Sequence, residues 1–231
     1  MISDQVREFL RLGHPLPPQD DDSEEGDEAF EEMTEALHAI EKPVTNEEAT
    51  LLMECFGDDE CFGLAWTLLH IVESAPLPPV TSPPPDGSNV WISRLWLRYQ
   101  NSMFLERFRE LAGDLGRPPE LTPHRAIEEW SEFVDDCAEG YEGTLFEYGD
   151  DISIRSFLQR VIDDPVIREV PELAWFKKDI QAVDDKFAGL LSRGFEVPGG
   201  RGWWERRIPR VAGREMAENV KDHYGHDVEV I

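Results

Sequence analysis

The stretch ECFGLAWTLLHIVES, residues 60–74, carries apolar side chains on almost every side of a helical axis: Phe62, Leu64, Ala65, Trp66, Leu68, Leu69, Ile71 and Val72. A helix that is apolar all round has to be enclosed by other elements. Those elements cannot simply continue it. SAPLPPVTSPPPDGS (74–88) holds six prolines in fifteen residues, which excludes a helix or a central strand there. The chain must therefore fold back on this segment. His70, set within it, is expected to be a hydrogen-bonded core histidine.

Helical spacing accounts for most of what surrounds it. Residues 3–12 suit a short helix stopped by Gly13 and by Pro15, Pro17 and Pro18. From Asp27 onward, Phe30, Met33, Leu37 and Ile40 recur every three or four residues until Pro43. Thr45 with Glu48 three positions later is a capping box, and Gly57 closes that helix. Asp58 or Asp59 would cap the apolar segment, making 45–56 and 59–73 a helical hairpin. This pair is weakly similar to one HEAT-type repeat, in which antiparallel helices stack into a solenoid. No second copy follows at a fixed period.

A long helix is expected from a Ser88 cap to about Ala112, then a break at GDLGRPPELTP (113–123). Thr122 and Pro123 start the next helix, to about Ala138. Further helices are expected at 152–162, 166–170 and 172–192. After Gly194 the period is lost, until GREMAENVKDHYG offers a last helix and HDVEVI alternates like a short edge strand. The fold class is mainly α: stacked helical hairpins, a second helical part and a short irregular or β C-terminal segment. The expected division is an acidic, mobile lead-in (1–26), a helical-hairpin domain (27–113) with its Pro-rich loop at 74–88, and a helical C-terminal domain (122–231).

Charge decides which partners suit this chain. It has 49 acidic and 22 basic residues, a net of −27. Such a surface repels nucleic acid and anionic membranes and attracts basic partners. Residues 1–60 alone hold 19 acidic and 3 basic residues, whereas 192–214 carry six arginines against Glu196 and Glu205. No apolar run is long enough for a membrane span. The opening MISDQVREFLRLGHPLPP lacks the basic start and apolar stretch of a secretory leader. Cys55, Cys61 and Cys137 are an odd number at no usual zinc spacing, so reduced, buried thiols in a cytoplasm are expected.

Several motifs bear on chemistry. DDSEEGDEAFEE (21–32) resembles an EF-hand loop through Asp21, Ser23, Glu25, Gly26, Asp27 and Glu32. Glu28 stands where an aliphatic residue belongs, Glu25 is longer than the usual Asp, and GHPLPPQD occupies the place of the incoming helix. The expectation is an acidic lead-in, without calcium. His223 and His226 are spaced for a metal on a helix, but Gly225 between them favours a turn. RGWWERRIPR (201–210) joins Trp203 and Trp204 to four arginines, and an internal clamp onto the acidic helices is preferred over base stacking. Six Asp-Asp pairs lie mostly at expected helix ends. No nucleophile elbow, phosphate loop, HExxH or CxxC occurs, so no catalytic residue, metal or cofactor is assigned.

The expected site is an acidic ladder. From Ala126 to Ile154 there are ten acidic residues and no Lys or Arg. Glu128, Glu132, Asp135 and Glu139 share one side of the helix, opposite Ile127, Trp130, Val134 and Cys137. In general character such a small, very acidic, helical protein resembles the bacterial immunity proteins that cap basic nuclease or deaminase toxins. The resemblance implies an inhibitor with a basic protein partner, engaged through Glu128, Glu132, Asp135 and Glu139. The alternative is an enzyme whose scattered carboxylates bind a metal ion. Nothing in the sequence speaks to oligomeric state.

Overall fold

In the computed structural model Ser3 accepts the Val6 N–H and starts α1 (Asp4–Arg11), which buries Val6 and Phe9. The structure describes residues 1–13, 15–20, 23–171 and 173–231, and only the backbone of Glu24 and Glu25. The chain is mainly helical and divides into two units, 1–100 and 101–231.

In the first unit, Ser23 caps α2 (Glu24–His38) by accepting the Gly26 N–H at 3.0 Å. The helix thus begins three residues before the expected Asp27, so 24–32 runs as helix and not as an ion-binding loop. Asp21 and Asp22 of that motif lie outside the described residues. Thr45 and Glu48 form their capping box at the head of α3 (Asn46–Met53). The apolar segment then departs from expectation. Cys61 and Phe62 take left-handed backbone angles, φ 42 and 49, so α4 is only Leu64–Val72. Its enclosure is also incomplete. His70 is exposed on it, 3.4 Å from Glu73, and is not a core histidine. The helix is covered on the sides of Leu64, Leu68, Leu69 and Ile71, and the His70 side is left to water.

α1 packs on α2 and α3, and α4 packs on α2 and α3. The lead-in is tied to this core as well: Leu16 is buried, its N–H meets the Cys55 carbonyl at 2.8 Å, and Gln19 N–H meets Asp59 at 2.7 Å. α5 (Val90–Asp114) is capped by Asn89, not Ser88: the Asn89 side-chain oxygen accepts the Trp91 N–H while its amide donates to Phe56 and Gly57. α5 supplies Trp91 and Leu95 to the first core and Phe104, Phe108 and Leu111 to the second. The division between units falls inside this helix, ahead of the glycine- and proline-rich 113–123 segment.

The second unit is built on α6 (Pro123–Glu139), with Thr122 as cap and Pro123 in its first turn. It is followed by α7 (Leu145–Asp151), α8 (Ser153–Asp163), a single 3₁₀ turn at Ile167–Glu169 and α9 (Leu173–Leu191). α6 packs on both α8 and α9. Beyond it, β1 (Phe195–Glu196) pairs antiparallel with β2 (Arg207–Ile208), and β3 (Val211–Ala212) pairs parallel with β4 (Glu229–Val230) across α10 (Arg214–Tyr224). The core of this unit contains a buried ion pair. Arg155 of α8 holds Asp184 of α9 through two hydrogen bonds of 2.7 Å, Trp130 Nε1 donates to the same carboxylate at 3.0 Å, and the guanidinium lies 4.4 Å over the Trp204 ring.

Candidate functional site: an acidic groove in the second unit

α6 ends at Gly140, whose φ of 99 turns the chain back toward α7. A side chain there would be strained and would meet Ile231 at 2.8 Å. The turn places Asp136 and Glu139 of α6 across from Glu147, Asp150 and Asp151 of α7, with Glu142 between them. These six carboxylates line an open groove of about 710 Å³. A smaller groove of about 320 Å³ adjoins it, sharing Asp136, Asp150 and Asp151 and bringing in Arg117 and Arg125.

Two of the six are committed locally. Glu147 accepts the Thr144 N–H and hydroxyl, hydrogen bonds that lower its pKa. Asp151 accepts the Tyr141 hydroxyl at 2.7 Å; burial, then this carboxylate, push the phenol well above its ordinary value and keep it a donor. Asp136, Glu139, Glu142 and Asp150 have no ion-pair partner among the described residues. On α7, Phe146 is 77 % exposed and, four residues ahead of Asp150, faces the same side of the helix. An exposed apolar ring thus lies one helical turn from one of the carboxylates that line the groove.

The expected ladder is split by this geometry. Glu139 lines the groove. Glu128 and Glu132 are held by Arg125, at 3.5 and 2.9 Å, which also reaches Glu129. Asp135 pairs with Lys186 of α9. The run from Ala126 onward contains no cation to relieve the ladder. Arg125 lies in that helix's first turn, three, four and seven residues before its partners, and does relieve it.

Among the described residues, the arginines of 201–210 make no ion pair with the acidic helices either. Arg207 contacts Glu196 at 3.7 Å and Arg210 contacts Glu229 at 2.5 Å, both within the C-terminal segment. One of the two tryptophans does turn inward: Trp204 is buried and donates to Ser156 at 3.0 Å, while Trp203 is exposed.

His223 and His226 go to different neighbours, Tyr224 and Phe195. Among the described residues no group of three or more His, Cys, Asp or Glu side chains is placed to hold a metal ion. Among those residues, too, no helix is long and apolar enough to cross a membrane. All three cysteines are free and buried, and burial pushes Cys55 up to about 12 and Cys61 to about 11, so neither is an activated nucleophile.

The sequence reading missed α7 and with it half the groove. Its signal was present: Thr144 and Glu147 have the same three-residue spacing as Thr45 and Glu48, and both pairs form capping boxes.

Fold and site together define a mainly helical, strongly acidic protein with a carboxylate-lined groove. No protein-family model matches the chain, and neither the curated proteins nor the solved structures provide a match.

Proposed function

We propose that this chain is a cytoplasmic protein-binding protein of the inhibitor or immunity type, which captures a basic protein partner in the groove between α6 and α7. The observation that carries the reading is the set of four carboxylates, Asp136, Glu139, Glu142 and Asp150, facing one open groove with no ion pair among the described residues. Gathered on one groove, they concentrate negative charge there, and a Lys or Arg placed among them is drawn to it. The field outside the groove draws a basic partner in and disfavours an acidic one. Phe146, exposed one helical turn before Asp150, supplies the apolar contact that charge alone does not.

The ladder residues Glu128, Glu132 and Asp135 form the outer part of the same face. Their bonds to Arg125 and Lys186 are exposed, and exposed pairs are worth ~0.2–1 kcal/mol each, little enough for a partner's cations to displace. The HEAT-like stacking suggested by 45–73 belongs to this proposal only as a scaffold, since the docking face lies on another part of the chain.

The test begins with capture of partners from the source cells on immobilised protein, eluted with salt. A basic protein should be recovered whose association slows in the triple variant Asp136→Asn, Glu139→Gln and Asp150→Asn and depends less steeply on salt. A partner that is not basic, or association rates equal to those of the unaltered protein, would refute the reading.

A further inference from the structure

Leu145, Tyr148, Gly149 and Ile152 recur at three- and four-residue spacing, so they share one face of α7 and its end. That face does not line the acidic groove. It lines an open cleft of about 300 Å³, completed by Val197, Arg207 and Ile208 from the chain around β1 and β2 and by Tyr224 of α10. The cleft and the groove have no lining residue in common, so an inference drawn from one does not depend on the other.

The polar groups of the cleft are unequally occupied. Glu205 is spent on its own surroundings, accepting from the Ser156 hydroxyl and from the Arg201 and Gly202 N–H groups. Tyr148 and Arg207 are not. Tyr148 is 5 % exposed, and its hydroxyl has no hydrogen-bond partner among the described residues. Burial, above all, raises its pKa well beyond the ordinary value, so the phenol keeps its proton and can donate. Arg207 gives one guanidinium nitrogen to the Gly194 carbonyl at 2.8 Å and turns another toward Glu196 at 3.7 Å. Its Nε is buried and, among the described residues, unpartnered. A buried donor left unpaired is costly, and two on the walls of one cleft are both satisfied by an acceptor brought in from outside.

We propose that this cleft binds a small neutral molecule with an apolar body and a carbonyl oxygen, the oxygen accepting from Tyr148 and Arg207. Leu145, Ile152, Val197 and Ile208 provide the apolar walls that such a body needs, with few, fixed polar groups to orient it. Charge selects a neutral ligand. Arg207 already faces Glu196 and shares the cleft with Glu205, so a ligand carboxylate would meet as much negative charge as positive. A cationic head would meet Arg207 and a glutamate that is already bonded. Gly149 keeps the cleft open beside Tyr148. Glycine inside a helix weakens it relative to alanine, and here neither a left-handed φ nor close packing requires one.

The test is an amide NMR titration of the full chain with two probes of one shape, the ketone benzylacetone and the carboxylate hydrocinnamate. Benzylacetone should move the signals of Gly149, Val197 and Ile208, with a dissociation constant of about 0.1–1 mM, the range for a ligand of about a dozen heavy atoms. Hydrocinnamate should bind about tenfold more weakly. Tyr148→Phe should weaken benzylacetone about tenfold, the loss of one buried hydrogen bond. Its Tm should be unchanged or higher, since the hydroxyl gives up no bond within the protein. A benzylacetone titration that leaves those three signals in place overturns the inference. So does hydrocinnamate binding as tightly as the ketone, or a Tyr148→Phe variant that keeps the unaltered affinity. A lowered Tm in that variant overturns it too, because the hydroxyl would then be serving the fold.

Discussion

The two units bury a carboxylate in opposite ways. In the first, Glu48 is 4 % exposed and is held by neutral donors: Ser3 N–H at 2.7 Å, Thr45 N–H at 2.7 Å and the Thr45 hydroxyl at 2.8 Å. In the second, Asp184 is 5 % exposed and is held by a guanidinium and an indole. Burial by itself would raise the Glu48 pKa, but its hydrogen bonds win and bring it to about 2. The units also differ in charge, 21 acidic and 5 basic residues in 1–100 against 28 and 17 in 101–231. With few cations available, the first unit stabilises its buried anion with backbone dipoles. With more, the second uses a full counter-charge, and that makes its core dependent on both partners at once.

The largest expected effect comes from breaking the pair in the second unit. Asp184→Ala should cost about 3–5 kcal/mol in urea unfolding, because Arg155 remains buried without a counter-charge. The double change Arg155→Met with Asp184→Leu should recover most of that loss. If it costs as much as the single change, the pair itself and not the orphaned charge is what matters.

Glu48→Gln should cost about 2 kcal/mol, since an amide oxygen cannot serve three donors as two carboxylate oxygens do. The pH dependence sharpens the comparison. The Glu48 contribution is fully present above its ordinary value of 4.5 and is lost as pH falls toward about 2. Stability measured over that interval should fall less steeply in the glutamine variant. Equal slopes would show that other carboxylates dominate acid unfolding.

Gly140→Ala should cost about 1–2 kcal/mol, through a left-handed φ and contact with Ile231. Smallest is the groove itself. Asp136→Asn with Asp150→Asn should leave stability unchanged or raise it by a few tenths of a kcal/mol, as like charges are removed. A thermal melt showing a clear loss would mean that these carboxylates hold the fold rather than a partner.

How far the sequence could be read follows the range of the interactions. Thr45 with Glu48, Thr122 with Pro123 and Gly225 after Tyr224 were legible, the first two starting a helix and the last ending one as expected. Thr144 with Glu147 carries the same local signal. Arg125 lies seven residues or fewer from the glutamates it holds, so helical spacing alone contained that contact. The groove was half readable: its charge is a continuous acidic run, but the turn at Gly140 decides which carboxylates face each other. Asp184 was one member of six Asp-Asp pairs placed mostly at expected helix ends, and nothing local distinguishes it from Asp185.

By itself, then, the sequence determined the helices, most of their caps and the sign of the surface. Those depend on hydrogen bonds and periodicities confined to a few residues and on charges that can be counted. Tertiary structure alone decided that Arg155 meets Asp184 at 29 residues' separation, that His70 faces water, and that Cys61 turns in while Phe62 turns out. Burial is a property of what lies across the fold, and sequence neighbours carry no record of it. The strained turn makes the point most directly: a run that favours helix on its own is overruled by a carboxylate two residues away and an indole from a distant helix.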